Sequence, residues 1–333
     1  MRVTTIGVPI LDLFLTGEFA VLDDKHFTFA TGFPLHRGIC FPLGEKIRAT
    51  ELRYALGGGV LNTAETFARL GLATTACGKL ATDPLSAQVR TLLRGKSYIR
   101  AFRRYRGLTN LSSILLTPSG ERTILTYRDP NTRWQLAELP LPREQLVYLA
   151  MGHSTPLLWS RYLPLLQQRK NIIAANPSPS LLSQRRLARN IFNSLDLLIL
   201  NHEEAELFLN REGKPEEILA ALRTALPQPR VIAMTLGADG VLVDADKKNY
   251  HTTGFQSRRV VDSTGAGDAF ASAFVGSLTL DNFVLDDANI REAIRKGCAN
   301  AVSVIEQIGA QAGILTKRGY QAIRFRRLPI KIK

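Results

Sequence analysis

Short apolar runs alternate with amphipathic stretches through the second half of the chain, and this alternation limits the fold more than any other feature does. Runs at residues 146–151, 172–175, 195–200 and 230–235 have the length and composition of buried strands. The stretch 215–226 has the apolar spacing of a helix. Because βαβ units build parallel sheets with helices on both faces, the sequence predicts an α/β fold with a central, mostly parallel sheet.

Two separated segments, 27–53 and 111–127, instead alternate apolar and polar residues. This pattern is typical of antiparallel strands with one exposed face. We therefore expect a small antiparallel sheet, contributed by about residues 13–55 and 98–130, that covers the binding edge of the α/β body like a lid. The body and the lid are expected to form one domain over residues 1–316.

The composition of 45% hydrophobic and 22% charged residues is that of a folded globular protein. The three cysteines, Cys40, Cys77 and Cys298, lie far apart and form no C-x-x-C pair, so neither a disulfide framework nor a zinc site is indicated. The chain has no run of about 18 apolar residues, and its apolar N-terminus lacks a signal-peptide cleavage pattern. These features predict a cytoplasmic protein that neither spans nor binds a membrane.

The formal net charge of +14 is the one unusual bulk property, and it concentrates at residues 94–106 and in a basic C-terminal extension, 317–333. Such charge favours anionic ligands or nucleic acid. Because no recognisable nucleic-acid module accompanies it, a solvated basic surface is the preferred interpretation and nucleic-acid binding is not expected.

The most informative stretch is RVVDSTGAGDAF at residues 259–270, where a strand leads through small residues into an apolar helix. Glycine lets the backbone approach a ligand, and the free N–H groups of a first helical turn attract anions. Gly265, Ala266 and Gly267 therefore predict an anion site suited to phosphate. Asp268 lies in the same turn, where its carboxylate either accepts a proton from an attacking hydroxyl or complements the helix dipole.

The pattern Asp-x-Thr-Gly-Ala-Gly-Asp at residues 262–268 resembles the C-terminal signature of the PfkB, or ribokinase-like, carbohydrate kinases. The resemblance implies a three-layer α/β/α body with a small β lid. It also implies that Asp268 is the catalytic base and that the backbone of Gly265 to Gly267 forms the anion hole. Asp262 and Thr264 match positions that surround a monovalent cation in many members, so a K⁺ site is implied as well.

A second glycine-rich turn, GGGVLNTA at residues 57–64, resembles the N-terminal signature of the same family. By that resemblance, Gly57 and Gly58 let the backbone approach the substrate and Asn62 binds its hydroxyl groups. The alternative is an ordinary loop and helix start, with Gly71 as the C-cap of the helix.

Asp12 follows a first apolar strand, residues 3–8, and a carboxylate in such surroundings is costly unless it has partners. In the family an aspartate at this place binds substrate hydroxyls, so the resemblance assigns that role to Asp12. A local turn-stabilising role is the alternative.

Asn201 and Glu204 come directly after a predicted strand. They resemble the family's Asn-x-x-Glu motif, which helps to organise magnesium and the nucleotide phosphates, with Glu204 acting indirectly on Mg²⁺. The same spacing is also a capping box that any helix can use.

Thr235, Gly237 and Gly240 resemble the nucleotide-binding turn of the family, although the same residues would suit a plain hairpin. Asn300, in a helix predicted over residues 288–305, matches a position near the adenine.

Together these resemblances imply ATP-dependent phosphorylation of a sugar hydroxyl, with ATP, Mg²⁺ and K⁺ as cofactors. A nucleoside is the second choice of acceptor. A keto-deoxy sugar acid is a further alternative, because Thr126-Tyr127-Arg128 resembles the element with which kinases of such acids hold a carboxylate. The loop at 176–179 lacks the arginine expected to share that task, which favours a neutral sugar. Family members often pair through the lid, so a homodimer is also implied.

Two hypotheses from other classes remain open. The residues Gly152-His153-Ser154-Thr155-Pro156 follow a strand as the nucleophile turn of a hydrolase does, but Pro156 replaces the final glycine. A non-catalytic binding or regulatory protein would use the basic surface alone. ATP consumption that requires an acceptor separates the kinase from both.

Overall fold

The computed structural model of the chain describes residues 1–23, 37–117, 122–152 and 155–332. Part of the predicted strand segment 27–53 and the pair His153-Ser154 lie outside the described residues. No helix within the described ranges is long and apolar enough to cross a membrane.

Sixteen strands are described. In chain order they are β1 (Arg2–Ile6), β2 (Ile10–Thr16), β3 (Ala20–Asp23), β4 (Arg37–Cys40), β5 (Glu51–Gly57), β6 (Ala73–Ala81), β7 (Ile99–Tyr105), β8 (Leu111–Leu116), β9 (Arg122–Tyr127), β10 (Leu146–Ala150), β11 (Ile172–Asn176), β12 (Leu197–Asn201), β13 (Val231–Thr235), β14 (Val241–Ala245), β15 (Lys248–Thr252) and β16 (Lys331–Ile332). Ten of them form one large sheet in the order β16-β15-β14-β13-β12-β11-β10-β1-β6-β7.

The seven strands from β13 to β7 in that order run parallel, whereas β14, β15 and β16 are antiparallel to their neighbours. The four buried strands predicted from the apolar runs appear as β10, β11, β12 and β13. The prediction of a mostly parallel central sheet is therefore confirmed.

Nine α-helices are described. They are α1 (Gly59–Arg69), α2 (Leu85–Leu92), α3 (Pro156–Gln168), α4 (Pro179–Leu182), α5 (Arg185–Phe192), α6 (His202–Leu209), α7 (Pro215–Ala225), α8 (Ala266–Leu280) and α9 (Asp287–Ile305).

Helices cover both faces of the large sheet, because its central strands are apolar on both sides. In β10, Val147 and Leu149 pack into a core with α3, α5, α6 and α7, while Leu146 and Tyr148 pack into a second core with α1, α8 and α9. Alternate side chains of a strand point to opposite faces, so an uninterrupted apolar strand needs a helical layer on each side. The predicted three-layer arrangement is confirmed.

The predicted lid is a second sheet of four strands in the order β5-β2-β8-β9. β2 is antiparallel to β5 and parallel to β8, and β8 is antiparallel to β9. One part of the lid prediction is wrong: residues 99–105, included in the expected segment 98–130, form β7 at the edge of the large sheet, where they pair in parallel with β6. Five of the seven residues of β7 are exposed, as expected for an edge strand. Sequence alone does not distinguish such a strand from a lid strand.

The basic C-terminal segment is part of the domain. Tyr320 and Phe325 are buried against α9, and Arg324 donates two hydrogen bonds of 2.9 Å to the carboxylate of Glu306. β16 then pairs with β15 at the end of the large sheet. The expectation of a separate extension over 317–333 is corrected by this packing. Two buried aromatic side chains anchor the segment, and its many basic residues conceal this in the sequence.

Candidate active site

Asp12 lies in β2 of the lid sheet and is buried against the glycine turn that precedes α1. A Cβ added to Gly57 would come 2.0 Å from Oδ2 of Asp12, so the carboxyl group occupies the space that a side chain at position 57 would need. Burial raises the pKa of Asp12 to about 7, while the positive charge of Arg128 and a hydrogen bond from Ser112 oppose the rise. Asp12 therefore titrates near neutrality.

Asp268 lies in the first turn of α8, on the other side of the same glycine turn. The Nδ2 atom of Asn62 donates a hydrogen bond of 2.8 Å to Oδ2 of Asp268, and a Cβ on Gly59 would lie 3.4 Å from Oδ1. Burial raises the pKa of Asp268, and the hydrogen bond from Asn62 lowers it. A carboxylate with a raised pKa is a stronger base than an exposed one.

The two carboxyl groups lie on either side of one glycine turn. Gly57 contacts Asp12 and Gly59, two residues later, contacts Asp268, so a single turn of backbone separates the groups. The two groups are close enough for the negative charge of Asp268 to raise the pKa of Asp12. The structure thus brings Asp12, Asn62 and Asp268 together. Asn62 and Asp268, which share a hydrogen bond, are 206 residues apart in the sequence.

The turn that precedes α8 has the features of an anion site. Gly265 has a φ of 79°, and a Cβ there would come 2.4 Å from Cβ of Ala310, so only glycine fits. Gly267 faces open space, with no atom within 4 Å of an added Cβ. Among the described residues, the backbone N–H groups of Gly265 and Gly267 have no hydrogen-bond partner, and that of Ala266 has only a long contact of 3.4 Å to Ser263. These donors are available to a ligand.

Arg122 is a site residue that the sequence analysis missed. It is the first residue of β9 in the lid, its guanidinium contacts Oγ of Ser263, and its Nε lies 3.7 Å from Oδ1 of Asp262. The lid therefore brings a positive charge next to the anion turn. A basic residue within the segment 111–127, which is predicted to form lid strands, was the available signal, although sequence could not show which way it points.

Asp262 is fully buried and anchors the same turn. Its two oxygens accept hydrogen bonds of 2.9 Å from the backbone N–H groups of Thr264 and Gly309. The Oγ1 atom of Thr264 is buried without a partner among the described residues. This unpartnered oxygen beside a buried carboxylate is compatible with the predicted K⁺ site.

Asn201 and Glu204 form the capping box that begins α6. Oδ1 of Asn201 accepts a hydrogen bond of 2.7 Å from the N–H of Glu204, and Oε2 of Glu204 accepts one of 2.9 Å from the N–H of Asn201. Burial raises the pKa of Glu204, the hydrogen bond from Asn201 lowers it, and the charge of Asp268 raises it further. The predicted capping box is thus present, and Glu204 lies near Asp268, the proposed catalytic base.

Thr235 is paired with Asn201 at the ends of two adjacent parallel strands, β13 and β12. The turn that follows joins β13 to the antiparallel β14, so it is a hairpin. Gly240 has a φ of 94°, and a Cβ there would come 2.0 Å from the carbonyl oxygen of Thr252, whereas Gly237 faces open space. Glycine at position 240 is therefore required by the packing of the hairpin, whereas the space beside Gly237 is open.

The role predicted for Asn300 near the adenine is not supported by its surroundings. Its side chain is fully buried, its Nδ2 donates 2.9 Å to the carbonyl oxygen of Ala269, and its Oδ1 accepts 2.9 Å from the N–H of Leu315. Asn300 therefore joins α9 to α8 and to the C-terminal segment. A polar residue on a buried helix face satisfies backbone groups here, and motif matching cannot show that.

No group of three or more histidine, cysteine, aspartate or glutamate side chains within the described ranges could hold a metal ion by itself. Glu204, at the start of α6, lies close enough to Asp268 for the charge of Asp268 to raise its pKa. This arrangement fits a divalent ion held mainly by phosphate and water oxygens, with Glu204 acting indirectly.

The chain is similar to known sugar kinases in sequence and in fold. A model of the pfkB family carbohydrate kinase matches residues 35–317. The chain is 26% identical over 293 residues to the probable fructokinase-6 of Arabidopsis thaliana, covering 81% of this chain and 74% of that protein. It is 24% identical over 283 residues to the ribokinase of Haemophilus influenzae, covering 83% and 89%.

Two solved structures share the fold over nearly their whole lengths. The ribokinase of Giardia lamblia superposes with a TM-score of 0.75 at 17% identity, covering 97% of this chain and 98% of that one. The ribokinase of Arabidopsis thaliana, complexed with ribose and ATP, gives a TM-score of 0.71 at 16% identity, covering 98% and 99%. With the fold, the two glycine turns and the family match in agreement, the chain belongs to the PfkB family of carbohydrate kinases and is a phosphotransferase with an alcohol group as acceptor.

Proposed function

We propose that this protein transfers the γ-phosphoryl group of ATP to a hydroxyl group of a neutral sugar. The observation that carries the proposal is the juxtaposition of Asp12 and Asp268 across one glycine turn, beside a second turn with free N–H groups. A hydroxyl group held between a carboxylate base and a phosphate site has the geometry that in-line transfer requires.

In the proposed reaction, Asp268 accepts the proton of the acceptor hydroxyl as its oxygen attacks the γ-phosphorus. The bond from that phosphorus to the bridging oxygen breaks, and ADP leaves. The raised pKa of Asp268 suits it to this step, because a carboxylate that binds a proton more tightly removes it more effectively. Asp12 accepts hydrogen bonds from other hydroxyls of the sugar, and Gly57 and Gly58 let the backbone turn pack closely against Asp12 and Val8 and so hold this carboxyl group in place.

Charge on the transferring group is received by the N–H groups of Gly265, Ala266 and Gly267. The guanidinium of Arg122, next to Ser263, adds a positive charge at the edge of this turn. Mg²⁺, when bound, neutralises phosphate charge, and Glu204 would hold its water ligands. Thr264 and Asp262 would serve a K⁺ ion that supports the turn.

A neutral sugar is favoured over a sugar acid by the surroundings of Arg128. Its guanidinium donates 2.9 Å hydrogen bonds to the carbonyl oxygens of Leu111 and Tyr127 and one of 3.1 Å to Oγ of Ser112, and it lies close enough to Asp12 to affect its pKa. With three of its five N–H donors used and its charge offset by Asp12, this guanidinium is less available to a substrate carboxylate. The relatives named fructokinase and ribokinase agree with this choice.

On the nucleotide side, Asn201, Thr235, Gly237 and Gly240 are proposed to border ATP. The pairing of Asn201 with Thr235 puts both at the carboxyl ends of parallel strands, where α/β proteins bind ligands.

The lid also supports the proposal of a homodimer. Leu52 is 57% exposed and Leu125 is 59% exposed, on the two outer strands of the lid sheet. Apolar side chains grouped on an exposed sheet face favour association. Sedimentation at micromolar concentration is expected to give twice the mass of the 36.8 kDa chain, and a monomer would remove this part of the proposal.

The test is an assay of ADP release with a panel of sugars, nucleosides and keto-deoxy sugar acids. We expect release that depends on Mg²⁺ and on one neutral sugar, at least tenfold above the rate without acceptor. Release without any acceptor would contradict the proposal, and so would dependence on a sugar acid alone.

A further inference from the structure

A chain of hydrogen bonds links Asp268 to a lysine near the surface. Nδ2 of Asn62 donates 2.8 Å to Asp268, and Oδ1 of Asn62 accepts 3.3 Å from Nε2 of Gln311. Oε1 of Gln311 in turn accepts 3.0 Å from Nζ of Lys96. The four residues come from α8, α1, the loop after α9 and the loop after α2, so the folded structure alone brings them together.

The direction of this chain is set at both ends, since an ionised carboxylate only accepts hydrogen bonds and an ammonium only donates them. A primary amide can face either way, because its oxygen and nitrogen have the same shape. A lysine ammonium has donors and no acceptor, so Gln311 must turn its oxygen to Lys96 and its nitrogen to Asn62. Asn62 must then turn its oxygen to Gln311, which leaves its N–H group for Asp268.

The ammonium of Lys96 is held firmly. It lies 3.0 Å from Oε2 of Glu65, whose other oxygen accepts 2.6 Å from Nε of Arg69. Glu65 is only 6% exposed, so a carboxylate there requires cationic partners. Removing Lys96 would leave Glu65 paired with Arg69, so loss of the lysine does not leave an unpaired buried charge.

We propose that Gln311 and Lys96 are positioning residues that fix the amide of Asn62 with its N–H group toward Asp268. This inference rests on the proposed function of Asp268 as the catalytic base. Without Lys96 the two amides can invert together, and the oxygen of Asn62 then favours the protonated form of Asp268, whose hydroxyl group can donate to it.

Loss of the N–H group raises the pKa of Asp268, since the hydrogen bond from Asn62 is what lowers it. The other titratable groups that face Asp268 are the carboxyl groups of Asp12 and Glu204 and the hydroxyl of Tyr148. None of these three is altered by changes at Gln311 or Lys96.

The test is the titration of the Asp268 carboxyl group by ¹³C NMR, assigned with Asp268→Asn. Gln311→Leu is expected to raise the pKa of Asp268 by about 1, the equivalent of one charge-assisted hydrogen bond. Lys96→Met should raise it less, and Lys96→Arg, which keeps a donor, should restore it. The matched control is Gln307→Leu, four residues earlier, whose side chain has no partner among the described residues. An unchanged pKa in Gln311→Leu would overturn the inference.

Kinetics give a second readout. The acidic limb of kcat/KM should move to higher pH in Gln311→Leu with little change in KM for ATP, because a base with a raised pKa stays protonated to higher pH. If the wild-type protein phosphorylates no sugar, the proposed function fails, whereas the NMR titration still decides whether Gln311 positions Asn62.

A separate observation concerns the basic segment 94–106. α2 and β7 border a groove of about 340 Å³ near the edge of the large sheet. Arg90 and Arg94 lie four residues apart on one wall, and Arg100 and Arg104 lie four residues apart on the other. The apolar part of the lining is formed by Leu80, Ala81, Leu93 and Phe102.

The four guanidinium groups have no anionic partners within the described part of the chain. Arg90 donates 2.8 Å to Oγ of Ser86 and Arg100 donates 2.6 Å to the carbonyl oxygen of Leu93, and none of the four pairs with a carboxylate. Four like charges around one groove repel each other, and a bound anion would relieve this repulsion.

We infer that this groove binds a small anion with two phosphate groups on a carbon skeleton. Arginine forks match phosphate oxygens, the two pairs of arginines on the two walls match two phosphate groups, and the volume is that of a small-ligand site. A concave site walled on two sides favours a small ligand over the extended backbone of a nucleic acid.

The probe is fructose 1,6-bisphosphate, measured by calorimetry. Arg94→Gln/Arg104→Gln is expected to weaken binding at least tenfold. Arg185→Gln/Arg189→Gln, two exposed arginines with the same spacing on α5, and Arg122→Gln should leave it unchanged. Loss of binding in Arg122→Gln would place the ligand in the active site and overturn the inference, as would tighter binding of a single-stranded oligonucleotide than of the bisphosphate.

Discussion

The two glycine turns of the site differ in what fills the space around them. In the turn before α1, an added Cβ would come 2.0 Å from Asp12 at Gly57 and 2.2 Å from the carbonyl oxygen of Val8 at Gly58. In the turn before α8, Gly265 is closely packed but Gly267 meets no atom within 4 Å. The first turn is filled by the protein itself, and the second is left open at one residue.

This difference separates two uses of glycine. At the first turn, glycine lets a buried carboxyl group and the backbone come together, so substitution should damage the fold. At the second turn, glycine at position 267 keeps space free for a ligand, so substitution should damage catalysis and spare the fold.

The largest effect is expected for Gly58→Ala. The residue has a φ of 86°, and the clash with Val8 is with backbone that cannot move aside, so the variant should lose roughly 3 kcal/mol or more of unfolding free energy. Gly95→Ala is the matched control, because Gly95 has a φ of 78° and no atom within 4 Å. Urea unfolding should show a loss of only about 1 kcal/mol there. Equal losses in the two variants would contradict the packing explanation.

Gly267→Ala should leave the thermal unfolding temperature unchanged or slightly raised, because alanine is the better helix former at the start of α8. Its methyl group would enter the space of the transferring phosphate, and turnover should fall by roughly 10- to 100-fold. Steady-state kinetics and calorimetric melting measure the two effects. A variant with full turnover would show that position 267 does not face the phosphate.

The smallest effect tests the carboxyl group that fills the first turn. With a pKa near 7, native Asp12 retains a proton that the unfolded chain releases near pH 4, so wild-type stability falls as the pH rises toward 7. Asp12→Asn removes this dependence. The free energy of unfolding of Asp12→Asn, taken relative to that of wild type, should increase by roughly 1–3 kcal/mol between pH 5 and pH 8. The KM of the variant for the sugar should be higher than that of wild type. A pH-independent difference would show that Asp12 is not a buried titrating group.

Much of the fold could be predicted because the apolar runs of β10 to β13 are buried on both faces, which leaves a clear signal in the sequence. The sequence does not show that residues 99–105 belong to the large sheet, because edge strands and lid strands both carry exposed side chains. The C-terminal segment was assigned by its charge, although Tyr320 and Phe325 anchor it.

The site could be predicted where short motifs fix the backbone, as at Gly57 and Gly265 to Gly267. The bond between Asn62 and Asp268, the approach of Arg122 and the link through Gln311 to Lys96 depend on tertiary packing. Asn300 shows that a match to a motif does not establish a binding role, because its side chain forms hydrogen bonds with buried backbone groups.

The central claim is that Asp268 removes the proton of a sugar hydroxyl beside the anion turn. Phosphorylated sugar formed from ATP can be followed by ³¹P NMR with wild-type protein and with Asp268→Asn. We predict that the variant binds ATP nearly as well as wild type but forms product roughly 10³-fold more slowly. Product formation at the wild-type rate in Asp268→Asn would contradict the account.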